Sequence, residues 1–149
     1  MALSKAVTKS RGKDGRAKLR KIMFIDSKKA HLNPRCDQQV YIDLPEEAEQ
    51  SEGMCGRLVF WLYGCRPAAQ AWENFYAEKL EGVGFKRGDA CGVVFYEPER
   101  DITVVCHGDD FICVGEEEDL TWLAEEIGNG LRSKSGRCSD PKREMTERW

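Results

Sequence analysis

The sequence predicts an α+β fold, an antiparallel sheet packed by two helices, and three observations carry that expectation. Between Gly92 and Gly115, three β-branched or aromatic runs are separated only by short turns, which leaves no room for helical crossovers and requires antiparallel pairing. Ala68, Trp72, Phe75, Tyr76, Leu80 and Val83 recur at three- and four-residue intervals, the spacing of one buried helix face. Leu120, Leu123, Ala124 and Ile127 repeat that pattern after acids at 116–119, which suit a helix N-terminus. At 149 residues the chain has enough material for one domain with a proper core and too little for two ordinary ones.

In chain order, a first strand at residues 22–25 delivers Asp26 at its end, and residues 40–43 have the alternation of a second. Pro34 and Pro45 mark loops, residues 46–52 read as an acidic surface loop, and residues 57–63 have strand character broken by Gly64. Pro67 suits the first turn of the first helix, which Gly82 and Gly84 close. A strand at 92–96 leads through a turn at 97–101 into strands at 102–106 and 111–115, and Gly128 and Gly130 end the second helix. Flanking this body at residues 22–131 are a basic arm at 1–21 and a charged tail at 132–149, both of disordered composition.

The composition, 41% hydrophobic and 33% charged, is that of a globular protein, and no apolar run is long enough to cross a membrane. The first twenty residues carry no apolar signal segment, so an intracellular product is expected. Net charge is −3, yet the arm holds eight basic residues (Lys5, Lys9, Arg11, Lys13, Arg16, Lys18, Arg20 and Lys21) against one acid, Asp14. Such an arm is a solvated tail, a phosphate-binding segment, or both. Seven cysteines, at 36, 55, 65, 91, 106, 113 and 138, show neither C-x-x-C nor the Cys/His spacing of a zinc site. Those in strands, at 91, 106 and 113, read as small buried hydrophobes in a reducing compartment. Gly82, Gly84 and Gly88 do not form a dinucleotide fingerprint, and there is no P-loop or G-x-S-x-G.

The chemistry concentrates in HGDDF, residues 107–111, where Asp109 and Asp110 stand between two apolar strands. Side by side on a hairpin, two carboxylates repel unless a cation, a proton or a basic group joins them. With no His or Cys pair nearby, oxygen ligands favour a hard ion such as magnesium, which takes few protein carboxylates and fills its shell with water and phosphate oxygens. A solvated turn is the competing explanation for the pair, as a helix N-cap is for Asp26. Taken together, Asp26 and Asp109 form the two halves of a metal clamp.

Five blocks follow one another: FIDSKKAHLNP (24–34), QVYIDLPEE (39–47), LVFWLYGCRPAAQAW (58–72), VGFKRGDACGVVFY (83–96) and HGDDFICVG (107–115). In that succession the region from about 21 to 127 resembles the reverse transcriptase domain of copia-type LTR retrotransposons. That family's polymerase core has an aspartate after a strand, a leucine-tyrosine-glycine segment leading into a helix, and a double-aspartate hairpin. The resemblance implies a reverse-transcriptase palm and an RNA-directed DNA polymerase, part of a Pol polyprotein. It implies that Asp26, Asp109 and Asp110 are catalytic residues and ligands of two Mg2+ ions, with Asp110 the weaker ligand; such a pair stabilises the attacking 3′-oxygen and the leaving pyrophosphate. The implied partners are an RNA or DNA template-primer, deoxynucleoside triphosphates and the integrase and RNase H portions of Pol, with no membrane. The implied location is intracellular, in cytoplasmic particles or the nucleus.

Several positions depart from the family pattern. His31 stands where such polymerases carry the Phe or Tyr that blocks a ribose 2′-hydroxyl, and Arg66 matches, as a cation, a lysine after the LYG segment. His31 and Arg66 are therefore the substrate-binding candidates. Pro67 replaces the glutamine that follows that lysine, and His107 and Gly108 replace a tyrosine and a small apolar residue before the aspartates. As plain residues, His31 and His107 also fit ordinary, partly buried histidines. A working enzyme of the family has fingers and thumb regions besides, so a palm fragment is expected, with its activity in isolation open. One rival is a non-catalytic nucleic-acid-binding remnant of a decayed element, in which the arm binds and the acids are idle. The other, a receiver-like phosphotransfer domain, also gathers acids around magnesium but needs a parallel sheet with helical crossovers.

Overall fold

The computed structural model describes residues 10–11, 17–18, 20–48, 53–130 and 133–135. Strands β1 (Ser10–Arg11) and β2 (Ala17–Lys18) pair as a short antiparallel ribbon inside the basic arm. Strand β3 (Lys21–Ser27) leads into a 3-10 turn, Ala30–Leu32, and β4 (Tyr41–Asp43) pairs antiparallel with β5 (Cys55–Arg57) around a second 3-10 turn, Glu46–Ala48. Helix α1 (Ala68–Gly82) precedes β6 (Lys86–Arg87), β7 (Val94–Glu97), β8 (Ile102–His107) and β9 (Asp110–Gly115); helix α2 (Glu117–Gly130) and β10 (Ser133–Ser135) follow. The main sheet has six strands in the order β10-β3-β9-β8-β7-β6, and every adjacent pair is antiparallel. The α+β class with an antiparallel sheet and two helices is the expected one, and its pairing removes the receiver-like alternative.

Both helices lie on one face of the sheet because the strand period of two sends alternate apolar residues there. Met23, Ile25, Phe95, Val104, Cys106, Phe111 and Cys113 from the strands join Trp72, Tyr76 and Leu80 of α1 and Leu120, Leu123 and Ile127 of α2 in one core. At its centre Trp72, Tyr76, Phe95 and Phe111 meet edge to face, with ring centroids 5.5 to 6.2 Å apart, the arrangement the ring quadrupoles favour. Phe75, Val83 and Ala124, expected on the buried helix faces, are only partly buried at the rim of this core. The opposite face carries a small cluster of Ile22 and Val114 with Ile112 packed against it.

Several expectations need correction. In place of a strand at 57–63, only Cys55–Arg57 pairs, and Phe60 makes an isolated bridge to Arg35. The partner strand β4 is three residues long, so Val59, Phe60 and Leu62 run on exposed. Cys91 is exposed, in the turn between β6 and β7, rather than buried. The ordered body begins before residue 22: Arg20 is buried and ion-paired with Asp101, and Lys21 bonds Glu117 at 2.6 Å. It also extends past 131, since Ser133–Ser135, without apolar periodicity, adds to the free edge of β3 through its backbone. Apart from these residues and the β1–β2 ribbon, the disorder expected in the arm and tail falls on residues outside the described ones. Among the described residues, no helix is long and apolar enough to cross a membrane.

Candidate metal centre on the open sheet face

The alternation along β3 turns Ile25 inward and Asp26 outward, onto the face that carries neither helix of the described residues. Pairing with β9 then opposes Ile22 to Val114, Phe24 to Ile112 and Asp26 to Asp110. Directly opposed residues of an antiparallel pair hold their Cβ atoms about 4.5–5.5 Å apart. The two carboxylates therefore share one spot of exposed sheet. Neither makes a salt bridge or side-chain hydrogen bond among the described residues. The same transverse row continues to His107 of β8 beyond Asp110 and to Lys134 of β10 beyond Asp26.

The hairpin tip is held from three directions. Gly108 and Asp109 form a two-residue connection in which Gly108 has φ 59, the positive first-position dihedral of a type II′ turn. The Ser27 N–H donates to the Asp109 carbonyl at 2.9 Å, pinning the tip to the end of β3. From α1, the Trp72 indole Nε1–H donates to the Gly108 carbonyl at 2.8 Å. The third tie reaches the chemistry itself: the Tyr63 hydroxyl donates to Asp109 Oδ2 at 3.0 Å. Desolvation of that hydroxyl, then its hydrogen bond to Asp109 and the carboxylate charge, hold Tyr63 above its ordinary pKa of 10.0, while hydrogen bonding by the His31 and Ala30 backbone works the other way.

The expected site residues fall into place unevenly. Asp26 and Asp110 come together, and Asp109 sits one residue away, half-buried, with its carboxylate engaged by Tyr63. The register opposes Asp26 to Asp110, where the clamp was expected between Asp26 and Asp109. His31 lies in the 3-10 turn after β3, with its ring 4.3 Å from that of Tyr63 and its Nδ1 buried without a hydrogen-bond partner among the described residues. Arg66 is exposed in the turn before α1 and makes no ion pair or hydrogen bond among the described residues.

Among the described residues no three His, Cys, Asp or Glu side chains form a ready ligand cluster. The donor set nonetheless fits magnesium, which binds through one or two carboxylates and keeps several waters. Like charges directly opposed across a strand pair are unfavourable until a cation offsets them.

Past the end of β3 opens a cleft of about 500 Å³, lined by Lys28, Lys29 and Arg57 among apolar Leu32, Phe60 and Leu62. Lys29 adopts a left-handed conformation, φ 54, and Asn33 braces the turn by donating from Nδ2 to the carbonyls of Lys29 and Ala30 at 3.2 and 3.1 Å. Sequence reasoning passed over Tyr63, the tip-holding role of Trp72 and this trio of cations. Tyr63 was visible only as the middle residue of the leucine-tyrosine-glycine segment, ahead of Gly64, whose φ of 91 shapes the turn there, with nothing to point it at Asp109. The chain matches no protein-family profile, no curated protein and no solved structure.

Proposed function

We propose that this chain is the palm portion of an RNA-directed DNA polymerase of the copia-type retrotransposon kind, with Asp26, Asp110 and Asp109 holding magnesium. The observation that supports this most is the opposition of Asp26 and Asp110 at an exposed end of an antiparallel sheet, beside a braced hairpin tip that carries Asp109. Magnesium held there would supply the positive charge that the attacked α-phosphate and the departing pyrophosphate require.

The chain's own residues do the placing. A strand end and a two-residue turn, fixed through Ser27 and Trp72, make a stiffer mount for carboxylates than a loop would. Lys28, Lys29 and Arg57 bring three cations to a cleft that begins two residues past Asp26, where they can pair with substrate phosphates. His31 and Arg66 remain the candidates for contacts to the sugar and phosphates. In this reading the partners are a template-primer and deoxynucleoside triphosphates, and the setting is a Pol polyprotein with integrase and RNase H portions.

Primer extension on an RNA template, with and without magnesium, tests the reading beside Asp26→Asn and Asp110→Asn. Incorporation is expected to need magnesium and to fall about 100-fold or more in each variant, the scale of losing a transition-state electrostatic contact. Equal incorporation by all three proteins would end the polymerase reading. Template-primer binding with no incorporation by the wild type would leave the non-catalytic remnant.

A further inference from the structure

We infer that Tyr63 is a positioning residue that, braced by His31, fixes the Asp109 carboxylate for cation binding; this rests on the metal-site reading above. Asp109 occupies the second position of a two-residue tip, where its side chain would otherwise turn freely. The Tyr63 hydroxyl donates to Oδ2 at 3.0 Å, which selects one rotamer and leaves Oδ1 to accept a cation. Ordering a ligand before its ion arrives removes that entropic cost from binding.

The donor is itself held in place. The Cys65 N–H bonds the Leu62 carbonyl at 3.2 Å, and Gly64 has φ 91, which together make a type II turn with Tyr63 at its first central position. The ring then lies against His31 with centroids 4.3 Å apart and planes tilted 33°. Three segments distant in sequence, the turn after β3, the turn before α1 and the hairpin tip, thus converge on one carboxylate.

A purely structural role fits poorly. Tyr63 is 51% exposed and stands outside the core, and its hydroxyl, besides meeting the His31 and Ala30 backbone, donates its proton to an acid that is half exposed as well. Removing that hydroxyl should therefore cost little stability and should change how Asp109 meets a cation.

Manganese binding to the full chain, followed by electron paramagnetic resonance, provides the readout, since Mn2+ shares magnesium's preference for octahedral oxygen ligands. Tyr63→Phe is expected to weaken Mn2+ about 10-fold, as losing the partner that orients a metal ligand does, with the metal-free melting midpoint unchanged. His31→Ala should weaken Mn2+ in the same direction, and His31→Phe, which keeps a ring against Tyr63, should restore it. Unchanged affinity in both Tyr63→Phe and His31→Ala, with Asp26→Asn still weakened, would overturn this inference and leave the metal site standing. A lowered melting midpoint accompanying the lost affinity would overturn it in favour of a structural role. No Mn2+ binding by the wild type would overturn the metal site and the inference together.

Discussion

Trp72 and Gly108 are joined by a 2.8 Å hydrogen bond from indole Nε1–H to carbonyl, so the second turn of α1 grips the tip of the β8–β9 hairpin. The indole is 2% exposed and lies edge-on to Tyr76 and Phe111. One side chain therefore belongs to both the core and the candidate site, and the core's rigidity is passed directly to the residue before Asp109.

Trp72→Phe keeps an aromatic ring but loses the donor and some volume. A loss of about 1–3 kcal/mol in urea unfolding is expected from the bond and the void together. Amide exchange at residues 108–110 should quicken more than elsewhere in the sheet. Uniform exchange across the sheet would show that the tip does not depend on this bond.

Asp101 closes the β7–β8 turn in a left-handed conformation, φ 54, where it accepts from the Tyr96 hydroxyl at 3.1 Å and pairs with buried Arg20. Asp101→Ala loses both contacts and puts a Cβ residue poorly suited to that dihedral in the turn. The carboxylate is 39% exposed, so the expected cost is about 2 kcal/mol, below that of breaking a fully buried pair. Asp101→Asn should lose about half as much, because Asn tolerates the left-handed region and can still accept from Tyr96. Chemical denaturation of both variants checks the ranking.

Burial pushes the Tyr76 phenol up to about 12, with the Cys106 and Glu73 charges adding to the shift. The fold thus prefers the neutral, protonated form. Below pH 10 both folded and unfolded phenols are protonated and the Tyr76 contribution to stability is at its full value. Between pH 10 and about 12 the unfolded phenol ionises while the folded one does not, so stability falls. The Cys106 thiol, raised chiefly by burial, adds a fall of the same sign that starts near pH 9.0. Urea midpoints measured against pH should drop over this window, and Tyr76→Phe should flatten the part above pH 10. An unaltered slope would show that Tyr76 is not its source.

Cys106 and Cys113 are buried free thiols, while Cys55 and Cys91 are exposed. A thiol reagent at mildly alkaline pH should label Cys55 and Cys91 at once and reach Cys106 and Cys113 only as the protein unfolds. Mass mapping of the labelled peptides distinguishes the two classes. Early labelling of Cys113 would place β9 outside a stable core.

The strands and helices that the sequence displays are those that send most of their apolar residues into the core. In β8 and β9 the alternation, the short tip and the flanking turns agree, and helix faces such as Trp72, Tyr76 and Leu80 repeat cleanly. Val59, Phe60 and Leu62 misled because apolar residues left exposed look in sequence like a strand. β10 was invisible for the opposite reason: an edge strand is held by its backbone and needs no apolar pattern. Within the site, Asp110, read as a second tip residue, is the first residue of β9, whereas Asp26 and Asp109 were legible as strand-end and tip residues. Tyr63 was not, since its contact with Asp109 spans 46 positions and arises only when separate turns close together.

The two rims of the main sheet share one property. One ends in Lys86–Arg87 and the other in Ser133–Ser135, so each border is only two or three residues long. A strand from another molecule seeking to add itself to either would find few unpaired amides there. The four inner strands, rich in valine, isoleucine and phenylalanine, are thereby kept from nucleating fibrils through their neighbours' borders.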